Sequence, residues 1–175
     1  IIGEMNLIRE LKERISNKSA KVSIIGMGYV GLPLACAFAK AGFHVQGIDI
    51  VTTKIQSLKN GKSHIDDISD ADLKKVIQEH HLNFSDNYKP LAESDCIVIC
   101  VPTPLGKTKE PDLSYVVAAV EETCLYLRRG QLLVLESTTY PGTTEEYIAP
   151  LIESKAKLSP IKDVLIGFSP ERVDP

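Results

Sequence analysis

The sequence predicts an α/β protein, a doubly wound parallel sheet with flanking helices. Three observations predict it. Short apolar runs alternate with helix-period segments along most of the 175 residues. One of these runs, Cys96-Ile97-Val98-Ile99-Cys100-Val101, is apolar throughout, as a central parallel strand covered on both faces requires. Finally, Ile24-Ile25 leads into Gly26-Met27-Gly28-Tyr29-Val30-Gly31, a Gly-x-Gly-x-x-Gly turn between a β-branched run and an alanine-rich helical pattern.

Taken in order, residues 4–17 carry Ile8, Leu11 and Ile15 at helical spacing among charged residues. They predict an amphipathic packing helix, a 1–19 segment ahead of a 20–175 domain. The first strand is expected over 21–25, then a helix over 30–40 closed by Gly42, and a second strand over 43–48. A short helix over 53–58 ends at Asn60-Gly61, and a longer one over 69–80 has Ser69 as N-cap with Leu73, Val76 and Ile77 inward. A brief strand follows over 82–84. After the strand over 96–101, a helix over 112–129 turns Val116, Val117, Val120 and Leu127 inward and is capped by Gly130. A strand over 131–135, a helix over 143–155 that Pro150 bends or ends, and a strand over 163–168 complete the set. Six strands alternating with helices imply right-handed crossovers.

Composition is that of an ordinary globular domain: 43% hydrophobic, 25% charged, no tryptophan. A net charge of −3 and a pI near 5.8 give no reason to expect nucleic acid or an anionic membrane as partner. No apolar run approaches the ~20 residues that span a bilayer. Cys36, Cys96, Cys100 and Cys124 are too scattered for a disulfide scaffold. Cys96 and Cys100, four apart in one strand, stand ~13 Å from each other, too far to bond. Four reduced thiols in a cytoplasmic protein are expected. His44, His64, His80 and His81 lack zinc-site spacing, so no metal is expected.

The glycine turn carries the chemistry. Gly26 lets the chain leave the strand sharply, Gly28 lets the backbone approach a pyrophosphate, and Gly31 lets the helix pack against the sheet. The helix N-terminus offers N–H donors and partial positive charge to that pyrophosphate. Asp49 ends the second strand 18 residues beyond Gly31, near the ~20-residue spacing at which an acid meets the ribose hydroxyls of NAD. Together these predict a Rossmann-type dinucleotide site. Ligands in such sheets bind beyond the carboxyl ends of the strands. There the sequence gathers Pro102-Thr103-Pro104, residues 136–144 and residues 169–175, rich in hydroxyls and prolines.

Gly26 to Ala35, the Val101-Pro102-Thr103-Pro104 loop, Glu136-Ser137-Thr138-Thr139-Tyr140-Pro141-Gly142-Thr143-Thr144 and Ser169-Pro170-Glu171-Arg172-Val173-Asp174-Pro175 together resemble the UDP-glucose/GDP-mannose dehydrogenase family over residues 20–175. The last two motifs are most similar to the branch that oxidises UDP-N-acetylglucosamine at C6. The resemblance implies oxidation of a sugar hydroxymethyl to a carboxylate with two NAD⁺, through a cysteine-bound thiohemiacetal and thioester. It implies that Gly26, Gly28, Tyr29, Val30 and Gly31 hold the pyrophosphate, and that Asp49 and Lys54 lie at the adenosine ribose. It further implies that Val101, Pro102 and Thr103 line the cofactor, with Ser137 and Thr138 on the nicotinamide side. Thr138 matches a water-positioning threonine and Glu171 a glutamate in the acid–base steps. A glutamate of the UDP-glucose branch is replaced by Pro175, which counts against plain UDP-glucose.

The family's nucleophilic cysteine, its dimer-building helix and its sugar-closing domain lie beyond the cofactor domain. None of the four cysteines here matches the nucleophile's motif. The resemblance therefore implies that these 175 residues bind NAD without turning over a UDP-sugar, and that the full-length enzyme is a homodimer. The alternative is a self-sufficient NAD-binding or sensing module without dehydrogenase activity. A 3-hydroxyacid-type dehydrogenase sharing the same first domain is a third reading.

Overall fold

The computed structural model describes residues 2–104 and 111–170. Its centre is one sheet of six parallel strands: β1 (Lys21–Ile25), β2 (His44–Ile48), β3 (Leu82–Ser85), β4 (Cys96–Ile99), β5 (Leu132–Leu135) and β6 (Leu165–Phe168). They lie in the order β3-β2-β1-β4-β5-β6. The order reverses between β1 and β4, where doubly wound sheets open a crevice at their carboxyl edge.

Alternation along the strands divides the core in two. Val22, Ile24, Val45, Val98 and Phe84 face helices α2 (Gly31–Lys40), α3 (Thr52–Lys59) and α4 (Asp70–Glu79). Ile25, Ile48, Ile97, Ile99 and Leu133 face α5 (Ser114–Cys124) and the last helical segment, 144–156. All four residues of β4 are buried, as its unbroken apolar run predicts.

The expected strands and the helices before β4 are observed with shifted ends. A short 3-10 helix, Lys89–Glu93, is not among the expected elements, and the last expected helix is largely π-helical. The expected Ser69 cap is present: its Oγ accepts from Asp72 N–H. The helix expected to reach Arg129 stops at Cys124. Thr123 Oγ1 donates back to Ala119 O in its last turn, and Leu125 N and Tyr126 N tighten onto Glu122 O and Thr123 O. Arg128 is then held from outside the helix, its N–H by Gln131 Oε1 and its guanidinium by Ala92 O and Ser94 O. Gly130 turns the chain into β5 rather than capping a helix. Pro150 neither ends nor simply bends its helix. It sits in one α-turn, Ala149–Leu151, between π-helical stretches Thr144–Ile148 and Ile152–Ala156, because wider turns accommodate a residue without an N–H and with a bulky ring.

The amino-terminal helix α1 (Ile2–Ser16) packs by Leu11, which is buried, whereas Ile15 is exposed rather than inward. Its second attachment is ionic. Asp95, 3% exposed at the start of β4, accepts from Arg14, from Arg128 Nη2 at 3.2 Å and from Lys21 N–H at 2.9 Å. Beside it the wholly buried Gln131 donates to Leu91 O and Ser94 O. The bonds to Asp95 tie α1, the start of β1 and the start of β4 together at the amino edge of the sheet. Among the described residues no helix is long and apolar enough to cross a membrane.

Both arginines facing Asp95 are about half exposed, so water can replace much of what they lose. The larger cost of removing the carboxylate is an orphaned Lys21 N–H. Asp95→Ala is expected to destabilise the chain by ~1–3 kcal/mol. Asp95→Asn, which still offers an oxygen, should lose less than half of that in urea unfolding.

Candidate functional site

β1 ends against the glycine turn, and the turn is closed at both of its outer glycines. Gly26 N–H donates to Ile48 O at 2.7 Å, and Gly26 has φ +94°. A Cβ on Gly26 would lie 2.6 Å from Cys100 O, and one on Gly31 would lie 1.8 Å from Gly26 O. Backbone therefore rests on backbone from the turn to the end of β4. Gly28 differs: a Cβ there meets nothing within 4 Å. Among the described residues no contact requires that glycine.

Asp49 fastens this turn to the end of β2. It is 7% exposed. Its Oδ2 accepts from Met27 N–H at 2.9 Å and from Lys54 Nζ at 2.7 Å, and its Oδ1 accepts from Val51 N–H at 3.0 Å. Burial alone pushes the carboxyl upward, but the Lys54 ammonium and the Val51 and Met27 N–H groups outweigh it and hold it below the ordinary value. A carboxylate offers about four lone-pair sites, so Oδ1 keeps room for one further donor. Of the expected site residues, Gly31 packs on Gly26 and Lys54 pairs with Asp49, and Asp49 reaches the turn through Met27 N–H.

The loops after β4 and β5 form the neighbouring stretch of the edge. Val101 and Thr103 are half-buried and Pro102 is exposed. Ser137 is buried, and its hydroxyl donates to Val101 O at 2.7 Å, tying the two loops together. Thr138 is exposed beside it. Tyr29 is exposed and Val30 half-buried at the start of α2, where no side chain caps the helix. Glu171 lies outside the described residues.

Two features escaped the sequence reading. Met27, the middle of the motif, is fully buried over Gly47, where a Cβ would come within 2.6 Å of its sulfur. His64 reaches the same turn, its Nε2 lying 2.8 Å from Met27 O. Nothing local in sequence marks either contact.

No disulfide joins the four cysteines, and all four are buried. Burial, with Asp95 nearby, pushes the Cys96 thiol up to about 11. Burial, with Glu121 nearby, does the same for Cys124, and burial raises Cys36. Shifts in that direction favour the protonated thiol, the less nucleophilic form.

The residues present fit a dinucleotide: an open glycine, a helix start without a side-chain cap, and a carboxylate with a spare lone pair. Known proteins agree. Residues 20–175 match the NAD binding domain of the UDP-glucose/GDP-mannose dehydrogenase family. UDP-N-acetyl-D-glucosamine 6-dehydrogenase of Pseudomonas aeruginosa is 38% identical over 158 residues, 90% of this chain and 36% of that protein. The UDP-N-acetyl-D-mannosamine dehydrogenase of Pyrococcus horikoshii is 38% identical over 156 residues, 89% of this chain and 37% of that protein. The solved structure of the Pyrococcus horikoshii enzyme superposes with a TM-score of 0.82 over 89% of this chain and 37% of its own. A ternary complex of GDP-mannose dehydrogenase from Pseudomonas aeruginosa, 32% identical, also gives 0.82, over 87% of this chain and 36% of its own. The chain spans a little over a third of the length of these relatives. On this evidence the chain belongs to the UDP-glucose/GDP-mannose dehydrogenase family, and what it carries is the family's NAD-binding domain.

Proposed function

We propose that the chain serves a nucleotide-sugar 6-dehydrogenase that oxidises the C6 hydroxymethyl of UDP-N-acetylglucosamine, or of a related UDP-hexose, to a carboxylate with two NAD⁺. In this reading residues 1–19 are a packing helix and 20–175 the cofactor domain of a cytoplasmic enzyme that is a homodimer at full length. The observation that carries it is the contrast among the three glycines. Two are forced by the protein's own backbone, whereas among the described residues nothing meets a side chain at Gly28, where a pyrophosphate would approach. The relatives' names support the substrate class, and they include both UDP-N-acetylglucosamine and UDP-N-acetylmannosamine enzymes at 38% identity.

NAD⁺, when bound, supplies the hydride acceptor. Gly28, Tyr29, Val30 and Gly31 hold its pyrophosphate at the start of α2, where the helix dipole favours negative charge. Asp49 Oδ1 accepts from a ribose hydroxyl while Lys54 shares the other oxygen. Val101, Pro102, Thr103 and Ser137 line the cofactor. Thr138 positions water, and Glu171 moves protons during hydrolysis. The upward shifts that burial gives Cys36, Cys96 and Cys124 support the reading that these 175 residues hold NAD without turning over sugar.

Three outcomes test this. Gly28→Ala should leave stability within about 0.5 kcal/mol yet weaken NAD⁺ binding, because the methyl fills only the ligand's space. Gly31→Ala, whose methyl would overlap a carbonyl, should fail to fold stably. Equal NAD⁺ affinity for Gly28→Ala and wild type, by calorimetry, would remove the central support.

Asp49→Asn keeps the side chain's shape and one accepting oxygen, so it strands one of the Met27 and Val51 N–H groups where alanine would strand both. It should weaken NAD⁺ roughly 10- to 100-fold, as expected for a hydrogen bond to a charged group, and narrow the preference over NADP⁺, whose 2′-phosphate the carboxylate repels. Because the folded carboxyl titrates below its ordinary 3.8, its stabilising contribution is fully present above that pH and is lost as pH falls through the lower folded value. The stability gap between wild type and Asp49→Asn should therefore be constant above pH 3.8 and shrink in more acidic urea titrations.

With NAD⁺ and UDP-N-acetylglucosamine, the 175-residue chain should bind cofactor and release no NADH. Sustained absorbance growth at the NADH band would contradict that.

A further inference from the structure

The Met27 carbonyl is held by a side chain from a different crossover. His64 Nε2 is 2.8 Å from it, and since a carbonyl only accepts, Nε2 carries the proton. The segment that presents the histidine is itself anchored. Ser63 N–H donates to Asp70 Oδ1 and Lys62 Nζ to Asp70 Oδ2, each at 2.8 Å, and Ile65 is buried in the core. His64, itself exposed, therefore reaches the glycine turn from a segment held by these bonds and by buried Ile65, although 37 residues separate it from Met27.

The peptide joining Met27 to Gly28 is trans, so its C=O and its N–H point in opposite directions. With the oxygen held on His64, the Gly28 N–H faces away from the histidine. The neighbouring groups are fixed too. Met27 N–H is taken by Asp49 Oδ2, and Gly28 O accepts from Leu32 N–H at 3.1 Å. Glycine peptides flip easily, and a flipped 27–28 peptide would aim carbonyl lone pairs at a negatively charged pyrophosphate. One hydrogen bond thus sets the sign of the dipole that the phosphate meets.

We propose that His64 is a positioning residue for the cofactor: by holding the Met27 carbonyl it keeps the Gly28 N–H aimed as a donor at the pyrophosphate. The proposal rests on the glycine turn being the pyrophosphate site.

The test uses this chain with NAD⁺, ADP-ribose and adenosine, the last lacking a pyrophosphate. Wild type must first bind NAD⁺ and ADP-ribose more tightly than adenosine. If it does not, the reading of the turn fails before His64 is tested. His64→Phe keeps a ring and removes the donor, and His64→Gln keeps a donor of similar reach. His64→Phe should weaken NAD⁺ and ADP-ribose about three- to tenfold, the scale of one hydrogen bond, and leave adenosine binding unchanged. His64→Gln should recover most of the loss. Unchanged NAD⁺ affinity in His64→Phe, an equal loss for adenosine, or no recovery with glutamine would each overturn the proposal. Should His64→Phe fail to fold, ¹⁵N spectra of the wild-type histidine decide the matter. A proton on Nε2, together with a Gly28 amide signal that moves on adding ADP-ribose but not adenosine, is the expected result. A neutral ring protonated only on Nδ1, or a Gly28 signal indifferent to ADP-ribose, would overturn it.

Discussion

The architecture turns on a place where no side chain fits. Gly31 lies against the Gly26 carbonyl so closely that a Cβ would overlap it, and Gly26 lies against the carbonyl of Cys100 at the end of β4. That double contact sets how far α2 can approach the sheet and where its N-terminus points. Once the helix is seated, Leu32 and Ala35 are buried beneath it. Its first turn stands over the crevice between β1 and β4, where the strand order reverses. A methyl at either glycine would displace the helix, and its N-terminus with it.

The two ends of the sheet carry different kinds of polar group. At the amino edge, Asp95 and Gln131 are buried and their partners lie within the protein: backbone N–H and C=O groups and two arginines. They close the chain's own structure, and they offer a ligand little. At the carboxyl edge the polar groups are only partly committed. Asp49 keeps a lone pair, Ser137 spends its proton on Val101 O while its oxygen can still accept, and Gly28 is open. A site must leave some of its hydrogen-bonding capacity to the ligand, whereas a structural network is most stable when none remains.

Sequence alone revealed the strands, the turn and Asp49 because each has a local signature. The apolar run of β4 needs cover on both faces, and the turn's glycines stand between a β-branched run and an alanine-rich helical pattern, the context that gives their spacing meaning. The end of α5 was not legible. It depends on Arg128 being captured by Ala92, Ser94 and Gln131, which no helical periodicity foresees. The π-helical turns around Pro150 were hidden for a related reason: a proline announces a disruption but not how the chain absorbs it. Ile15 fits the helical stripe of α1 yet is exposed, since the helix is held at that end by the Arg14 ion pair as well as by apolar packing. His64 and Gly47 were invisible because their partner, Met27, is distant in sequence and carries no polar signal of its own.

Asp49 shows why such a site is built with structure and binding in one group. A carboxylate left free to meet a ribose would be strongly hydrated, and the ligand would have to strip that water away. Here the cost of desolvation is met during folding, by the Met27 and Val51 N–H groups and the Lys54 ammonium. The remaining lone pair on Oδ1 is then already oriented and only lightly hydrated when a hydroxyl arrives. The same bonds fix Met27, and through it the peptide that leads to Gly28. One buried charge therefore fixes both the end of β2 and the glycine turn, and under the proposed function a change at Asp49 would be felt at ribose and pyrophosphate alike.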